Sequence, residues 1–233
     1  MAARITVNGV GLLADPAGGL YWPDEKLLVV ADLHLEKGSA YARRGQFLPP
    51  YDTRATLDRL ASLLRRYRPA RVACLGDSFH DDDAPARIDR ADADRLAGFA
   101  REHDWIWISG NHDPAPPAGF GGRVVEALAL GKLALRHQPD GGAAEGEICG
   151  HFHPKAVVAT RGRRVAAACF VTDGRRLVMP AFGAYAGGLD ALDPAISGLF
   201  GRAGFRVLML GRDRLHLFPH TGLERIGPTR AAL

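Results

Sequence analysis

Three apolar segments, each followed by a compact polar cluster, constrain the fold of this 233-residue chain more than any other feature. The segments are typical of buried strands, and the clusters are "DLH" at 32–34, "GDSFHD" at 76–81 and "GNHD" at 110–113. Helical patterns over 52–68 and 87–104 separate them. Strands that alternate with helices indicate a largely parallel sheet. We therefore expect the three clusters to meet at the carboxyl ends of the strands, where α/β proteins bind ligands.

The pattern changes after a loop rich in proline and glycine over 111–122. Short strands follow, joined by turns at Gly131-Lys132, Asp173-Gly174 and Gly211-Arg212. No shift in composition marks a linker and no internal repeat is visible. The sequence therefore predicts one domain over residues 1–233, built on two packed sheets.

The composition is that of a soluble globular protein, with 47% hydrophobic and 24% charged residues. No apolar stretch reaches the ~18 residues of a transmembrane helix, and the N-terminus lacks the pattern of a signal peptide. We therefore predict a cytoplasmic protein with no membrane partner. The three cysteines lie in apolar runs and are predicted to be buried thiols. The net charge of +4 is compatible with an anionic substrate.

Five separate segments carry side chains with the chemistry of metal ligands. They are Asp32, His34, Asp77, Asn111, His112, His137, His151 and His153. In "GHFHP" the two histidines would point to one face if the segment is extended, which suits a metal or, alternatively, a basic ligand pocket. Such a mixed oxygen and nitrogen set suits manganese, iron or zinc. The set is too large for one ion, and two ions that share a carboxylate are typical of phosphoester displacement.

The ordered pattern "ADLH", "GDSFHD", "GNHD", "RHQP" and "GHFHP" resembles the calcineurin-like metallophosphoesterase superfamily over positions 27 to 155. The resemblance implies an α/β fold, a four-layer α/β/β/α sandwich with two mixed sheets. It also implies a site with two divalent ions, most simply manganese, with iron and zinc as alternatives. A hydroxide that bridges the ions would attack phosphorus in line.

The same resemblance implies a role for each motif residue. The first ion would be held by Asp32, His34, Asp77 and His153. The second would be held by Asp77, as a bridge, and by Asn111, His137 and His151. His112 would protonate or stabilise the leaving oxygen, and Asp113 would orient the ring of His112.

Two finer resemblances point to a nucleic-acid substrate. "GDSFHD" is similar to the corresponding motif of repair nucleases in this superfamily, which makes His80 a predicted phosphate contact or second acid. The phrases "ADLHLEKGSAYARRGQFLPPYDTRATL", "DGRRLVMPAFGAYAGGLD" and "GHFHPKA" resemble the bacterial ligase-associated DNA damage response endonucleases. That likeness implies hydrolysis of DNA phosphodiesters in repair, in functional association with a ligase, an exonuclease and a helicase.

The residues alone leave alternatives open. The segment 36–51 interleaves cations with aromatic rings, which suits phosphates and unpaired bases but equally suits a solvated loop anchored by its aromatics. A hydrolase of cyclic nucleotides or other small phosphoesters would use the same chemistry. A non-enzymatic scaffold of this fold is disfavoured because every motif residue is present.

Overall fold

Two β-sheets pack face to face in the computed structural model of the chain. It describes residues 1–112, 118–142, 145–160 and 162–226. Apolar side chains of both sheets, among them Trp22, Leu75, Leu135 and Phe170, form the core between them. All four are nearly or fully buried, so burial of this shared face stabilises the packing of the two sheets.

The first sheet has seven strands that follow one another in chain order. They are β1 (Ala3–Val7), β2 (Val10–Ala14), β3 (Leu20–Trp22), β4 (Leu27–Val30), β5 (Arg71–Leu75), β6 (Asp104–Ile108) and β7 (Arg123–Val125). Strands β1 to β4 pair antiparallel, whereas β4 to β7 pair parallel. The parallel half is apolar on both faces, because it lies between the other sheet and a layer of helices.

The second sheet has eight strands in the order β15-β14-β12-β13-β10-β9-β8, with β11 paired to β12. They are β8 (Ala127–Leu130), β9 (Leu133–Arg136), β10 (Glu147–Cys149), β11 (Lys155–Thr160), β12 (Arg163–Thr172), β13 (Arg176–Val178), β14 (Arg206–Leu210) and β15 (Leu215–Pro219). Strand β10 lies between β13 and β9 and is parallel to both, and the other pairs are antiparallel. Both sheets are therefore mixed.

Helices cover the outer face of the first sheet. They are α1 (Lys37–Arg43), α2 (Asp52–Tyr67), α3 (Ala84–Arg87) and α4 (Arg90–Glu102). Leu57, Leu60 and Leu64 of α2 pack onto this face at helical spacing. The outer face of the second sheet is covered by α5 (Pro194–Ser197) and the phenylalanines that follow it. Short 3-10 turns occur at Ala118–Phe120 and His220–Gly222. The predicted α/β/β/α sandwich of two mixed sheets is confirmed, with a thin fourth layer.

The helix predicted over 87–104 is shorter in the structure, α4 at Arg90–Glu102, and Arg87 belongs to the separate short helix α3. Ile88 is extended (φ −60°, ψ 134°), and α4 begins after it, where the side chain of Asp89 accepts a hydrogen bond from the backbone N–H of Ala91. Cys74, Cys149 and Cys169 are buried and form no disulfide, as predicted. Among the described residues, no helix combines the length and apolar character that a membrane crossing requires.

Candidate metal centre

Neighbouring strand ends bring the polar clusters together at one edge of the sandwich. Strands β4, β5 and β6 are parallel neighbours, so the motifs that follow them emerge side by side. The backbone N–H of His34 donates to the carbonyl of Asp77 (2.9 Å), which ties the first two motifs directly. The second sheet contributes His137 after β9 and two histidines after β10. The structure thus brings together all seven residues that the sequence predicts as metal ligands.

One cluster consists of Asp32, His34 and His153, whose ligand atoms all lie within 4.8 Å of one another. The Nε2 atoms of the two histidines are 3.1 Å apart, and His153 Nε2 lies 3.5 Å from Asp32 Oδ1. Asp32 is completely buried and His34 nearly so. Burying a carboxylate and imidazoles is costly unless they are hydrogen-bonded, paired with an opposite charge or coordinated to a metal.

The second cluster consists of Asp77, His137 and His151, again within 4.8 Å of one another. His137 Nε2 lies 3.1 Å from His151 Nδ1, 3.4 Å from Asp77 Oδ1 and 2.8 Å from Asn111 Oδ1. Asn111 therefore adds a fourth potential ligand atom to those of Asp77, His137 and His151, and the four atoms lie around one point.

Asp77 lies between the two clusters. Its Oδ1 atom faces His137 Nε2 at 3.4 Å, whereas its Oδ2 atom lies 3.9 Å from His34 Nε2. One carboxylate thus offers a different oxygen to each cluster. This arrangement suits a residue that bridges two ions.

The donor set fits divalent cations. Nδ1–H of His137 donates to the carbonyl of Leu75 (2.9 Å), which leaves a lone pair on Nε2. That lone pair faces the oxygens of Asn111 and Asp77, which are acceptors too. A cation bonded at ~2.0–2.2 Å to each atom would account for ligand separations of about 3 to 4 Å. Nitrogen and oxygen donors suit manganese, iron or zinc.

Burial favours the neutral form of two imidazoles of the centre, those of His34 and His151. It lowers the pKa of His34 to about 2, with the charge of the neighbouring His153 adding to the effect. Burial, followed by repulsion from His137, also lowers the pKa of His151. The neutral ring is the form that coordinates a metal, so these histidines are ready to bind at neutral pH.

The backbone of the centre is held in the left-handed region at five positions. The φ angles are 53° at Asp32, 43° at His34, 46° at Asp77, 72° at His151 and 50° at His153. Aspartate and histidine tolerate this region better than most residues, but each position still costs roughly 1 kcal/mol or more. Strain concentrated in this way is typical of functional sites.

These angles correct one expectation from the sequence. The segment that carries His151 and His153 is not extended, so the prediction that both rings point to one face is wrong. The left-handed turns after β10 direct His151 to the cluster of Asp77 and His153 to the cluster of Asp32.

Two glycines allow side chains of the centre to approach the backbone closely. A Cβ atom on Gly76, where φ is +70°, would lie 2.4 Å from Nδ1 of His137. A Cβ on Gly150 would lie 2.6 Å from Oδ2 of Asp32. Any larger residue would displace a ligand, so these glycines are part of the site.

His112 and His80 lie beside the clusters. The backbone N–H of His112 donates to Asp77 Oδ1 (2.9 Å), and its Nδ1–H donates to the carbonyl of His80 (3.0 Å). The two rings stack 5.5 Å apart, and burial, aided by Lys37 and His112, lowers the pKa of His80 to about 4. Nε2 of His112 is therefore the nitrogen left for a substrate. Asp113, predicted to orient His112, lies outside the described residues.

A hydrogen-bond network that the sequence did not reveal supports this region. Glu36 is held by Thr53 Oγ1 (2.8 Å) and Ser39 Oγ (2.7 Å). Arg87 donates to Ser39 Oγ (3.0 Å) and to Asp81 Oδ2 (2.8 Å), so it links α1 to the loop of His80. The amino-acid sequence gives no signal that Arg87 bonds to Ser39, 48 positions away, and to Asp81, 6 positions away.

The chain resembles known proteins to different degrees. The calcineurin-like phosphoesterase family matches residues 25–158, which is more than half of the chain. The crystal structure of Pseudomonas putida nuclease MPE is 27% identical, with a TM-score of 0.71, over 94% of this chain and 100% of that one. YfcE, a phosphoesterase from E. coli, is 14% identical with a TM-score of 0.40, over 83% of this chain and 98% of that one. A search of curated protein sequences gives no significant match.

The family match covers the strand ends that supply Asp32, Asp77 and Asn111, together with the histidines that complete both clusters. The chain is therefore a metal-dependent phosphoesterase and belongs to the calcineurin-like phosphoesterase family.

Proposed function

We propose that this enzyme hydrolyses DNA phosphodiesters with two divalent ions, manganese in the first place and iron or zinc as alternatives. The observation that carries the proposal is the pair of facing clusters that share Asp77. One ion would be held by Asp32, His34, Asp77 and His153. The other would be held by Asp77, Asn111, His137 and His151.

The chain's own residues would complete the chemistry. When bound, two divalent ions supply Lewis acidity at a phosphoryl oxygen and a reactive water at neutral pH. His112, fixed by its hydrogen bond to the carbonyl of His80, would hold a proton on Nε2 and give it to the leaving oxygen. His80, stacked on His112, would contact a phosphate oxygen. We further propose that Asp113 helps to orient His112.

Two observations support DNA over a small phosphoester. Asn111 and His112 are exposed, so the centre opens onto the surface, where a polymer has access. The P. putida structure, which matches over nearly the whole chain, is that of a nuclease. From the longer sequence resemblances we also propose a role in DNA repair, beside a ligase, an exonuclease and a helicase.

A substrate panel tests the proposal. The purified chain, loaded with manganese, should cleave single- or double-stranded DNA and bis-p-nitrophenyl phosphate, and Asp77→Asn should not. Hydrolysis of cyclic nucleotides in preference to DNA would establish the alternative substrate class instead. Activity that survives exhaustive chelation would contradict the proposal as a whole.

A further inference from the structure

A cavity of about 680 Å³ lies along helix α1, and Arg87, one of the residues that line it, donates to Asp81, the neighbour of His80. Residues 37 and 41 of this helix form the row next to the centre, and the ring of Tyr41 lies 5.9 Å from that of His80. Gly38 and Ala42, which lie on the neighbouring face around the helix, line the cavity. The cavity is thus adjacent to the predicted phosphate contact His80, and its volume is in the range of small-ligand sites.

The walls of the cavity are mainly apolar. Ala42, Phe47, Leu48 and Pro50 form them, and the polar side chains that line it already have partners. Arg87 is bonded to Ser39 and Asp81, and Arg43 pairs with Asp83 at 3.0 Å. The cavity therefore offers apolar contact and aromatic stacking rather than free charge.

Phe47 is 86% exposed, which is unusual for so large an apolar side chain. The loop that carries it is nevertheless held in place. The N–H of Gln46 donates to the carbonyl of Tyr41 (3.0 Å), and the hydroxyl of Tyr185 donates to the carbonyl of Pro49 (2.8 Å). An exposed ring on an anchored loop can bind a flat partner without first being ordered.

Cationic side chains, those of Lys37 and Arg44, lie near the cavity. Lys37, at the start of α1, lies 5.8 Å from the ring centre of Tyr41. The charge of Lys155 helps to lower the pKa of Lys37, after burial, whereas Asp52 raises it. Arg44 is exposed and has no ion-pair partner among the residues that the structure describes. Positive charge beside an apolar slot matches a nucleotide, with its anionic phosphate and flat, weakly polar base.

We propose that the cavity formed by Ala42, Phe47, Leu48 and Pro50 binds a nucleobase of the DNA strand whose phosphodiester lies at the metal centre. Phe47 would stack on the base, while Lys37 and Arg44 would neutralise the flanking phosphates. This inference rests on the proposed function and adds a base-binding subsite to it.

Binding of short oligonucleotides tests the subsite without relying on catalysis. The full-length chain, kept in EDTA to prevent cleavage, is titrated into a fluorescent thymine oligonucleotide and into a strand of equal length that lacks every base. Phe47→Ala removes the stacking ring, and Ala42→Leu fills the cavity. Leu217→Ala is the matched control, because Leu217 is 58% exposed on the distant edge strand β15.

We expect Phe47→Ala and Ala42→Leu to weaken binding of the thymine strand by roughly 5-fold to 100-fold, the effect of one stacked base. Binding of the base-free strand should stay unchanged in both variants, and Leu217→Ala should bind both strands like the wild type. Unchanged affinity for the thymine strand, or equal losses on both strands, would overturn the subsite. Hydrolysis of bis-p-nitrophenyl phosphate by the wild type tests the proposed function separately.

Discussion

The two ends of strand β10 differ in how their buried charges are satisfied. At its start, the guanidinium of Arg176 donates to the carboxylate of Glu147 and to the carbonyls of Leu199, Asp140 and Gly142. Just beyond its end, the rings of the metal centre face carboxylate and amide oxygens that are acceptors themselves. The first end is complete within the protein. The second is complete only with a cation, and that difference separates a structural cluster from a functional one.

The difference also appears in the backbone. At the metal-centre end, five aspartate and histidine residues adopt left-handed angles, and two glycines make room for the ring of His137 and the carboxylate of Asp32. At the other end, a common type of turn leads into Arg176. In it, the side chain of Asp173 accepts hydrogen bonds from the backbone N–H groups of Arg175 and Arg176. Left-handed aspartate and histidine residues are thus concentrated at the end where ligands converge, whereas Asn8 is the left-handed residue beside the other end.

The largest effect should come from the carboxylate that the two clusters share. Asp77→Asn keeps an oxygen for the N–H of His112 but removes the charge that faces both clusters. We expect the turnover of bis-p-nitrophenyl phosphate to fall by at least about 10⁴-fold, since both ions lose a ligand worth several kcal/mol. Asp82→Asn, an exposed neighbour in the same loop, is the control and should be fully active. Retained turnover in Asp77→Asn would contradict the view that the metal-centre end of β10, unlike its start, needs a cation.

A smaller effect is expected at His112, which lies outside the two clusters. His112→Gln should bind both ions yet lose about 10²- to 10⁴-fold in kcat on an alkyl phosphodiester, because general acid catalysis is gone. The loss should be much smaller with p-nitrophenolate, which leaves without a proton. His216→Gln on exposed β15 is the control. Equal losses on both leaving groups would show that His112 is not the acid.

The opposite end of β10 should respond in stability rather than in turnover. Arg176→Met removes the buried guanidinium that pairs with Glu147 and leaves only Arg136, 3.4 Å away, beside that buried carboxylate, so we expect the free energy of unfolding to drop by about 3–5 kcal/mol. The double variant Arg176→Met with Glu147→Leu should recover much of the loss, because the buried carboxylate of Glu147 is then removed as well. Urea denaturation measures both. If Arg176→Met alone were as stable as the wild type, the Arg176–Glu147 pair would not stabilise the start of β10 as we propose.

The smallest effect is expected at an exposed ion pair. Arg90 and Asp94 are one helical turn apart on α4, 3.8 Å from each other and 95% and 76% exposed. Arg90→Gln should change the unfolding free energy by no more than about 0.5 kcal/mol. The same denaturation experiment tests it. A loss as large as that of Arg176→Met would mean that burial does not decide the strength of these pairs.

Much of the fold and of the centre could be predicted from the sequence, for local reasons. Apolar segments that end in "DLH", "GDSFHD" and "GNHD" identify buried parallel strands and place their polar ends at one edge. The helix over 52–68 has its apolar residues at helical spacing, and the structure shows it as Asp52–Tyr67. These features depend on residues close together in the chain, which is why they were accessible.

The rest depends on contacts between distant residues. The division of His151 and His153 between two clusters follows from left-handed angles that no periodicity records. The pairing of Arg176 with Glu147 spans 29 positions, and the cavity along α1 is formed by a loop and two helices. That residues 1–233 form a single domain, and that the protein is cytoplasmic, stay predictions.

Metal titration of the purified chain tests the central claim most directly. The protein is stripped with a chelator, its residual metal is measured by mass spectrometry, and manganese is added back in known equivalents while hydrolysis of bis-p-nitrophenyl phosphate is followed. The geometry predicts no turnover without metal and a plateau at two bound ions per chain, with Asp77→Asn failing to reach it. Full turnover by the stripped protein, or saturation of both binding and activity at a single ion, would contradict a centre built from two clusters.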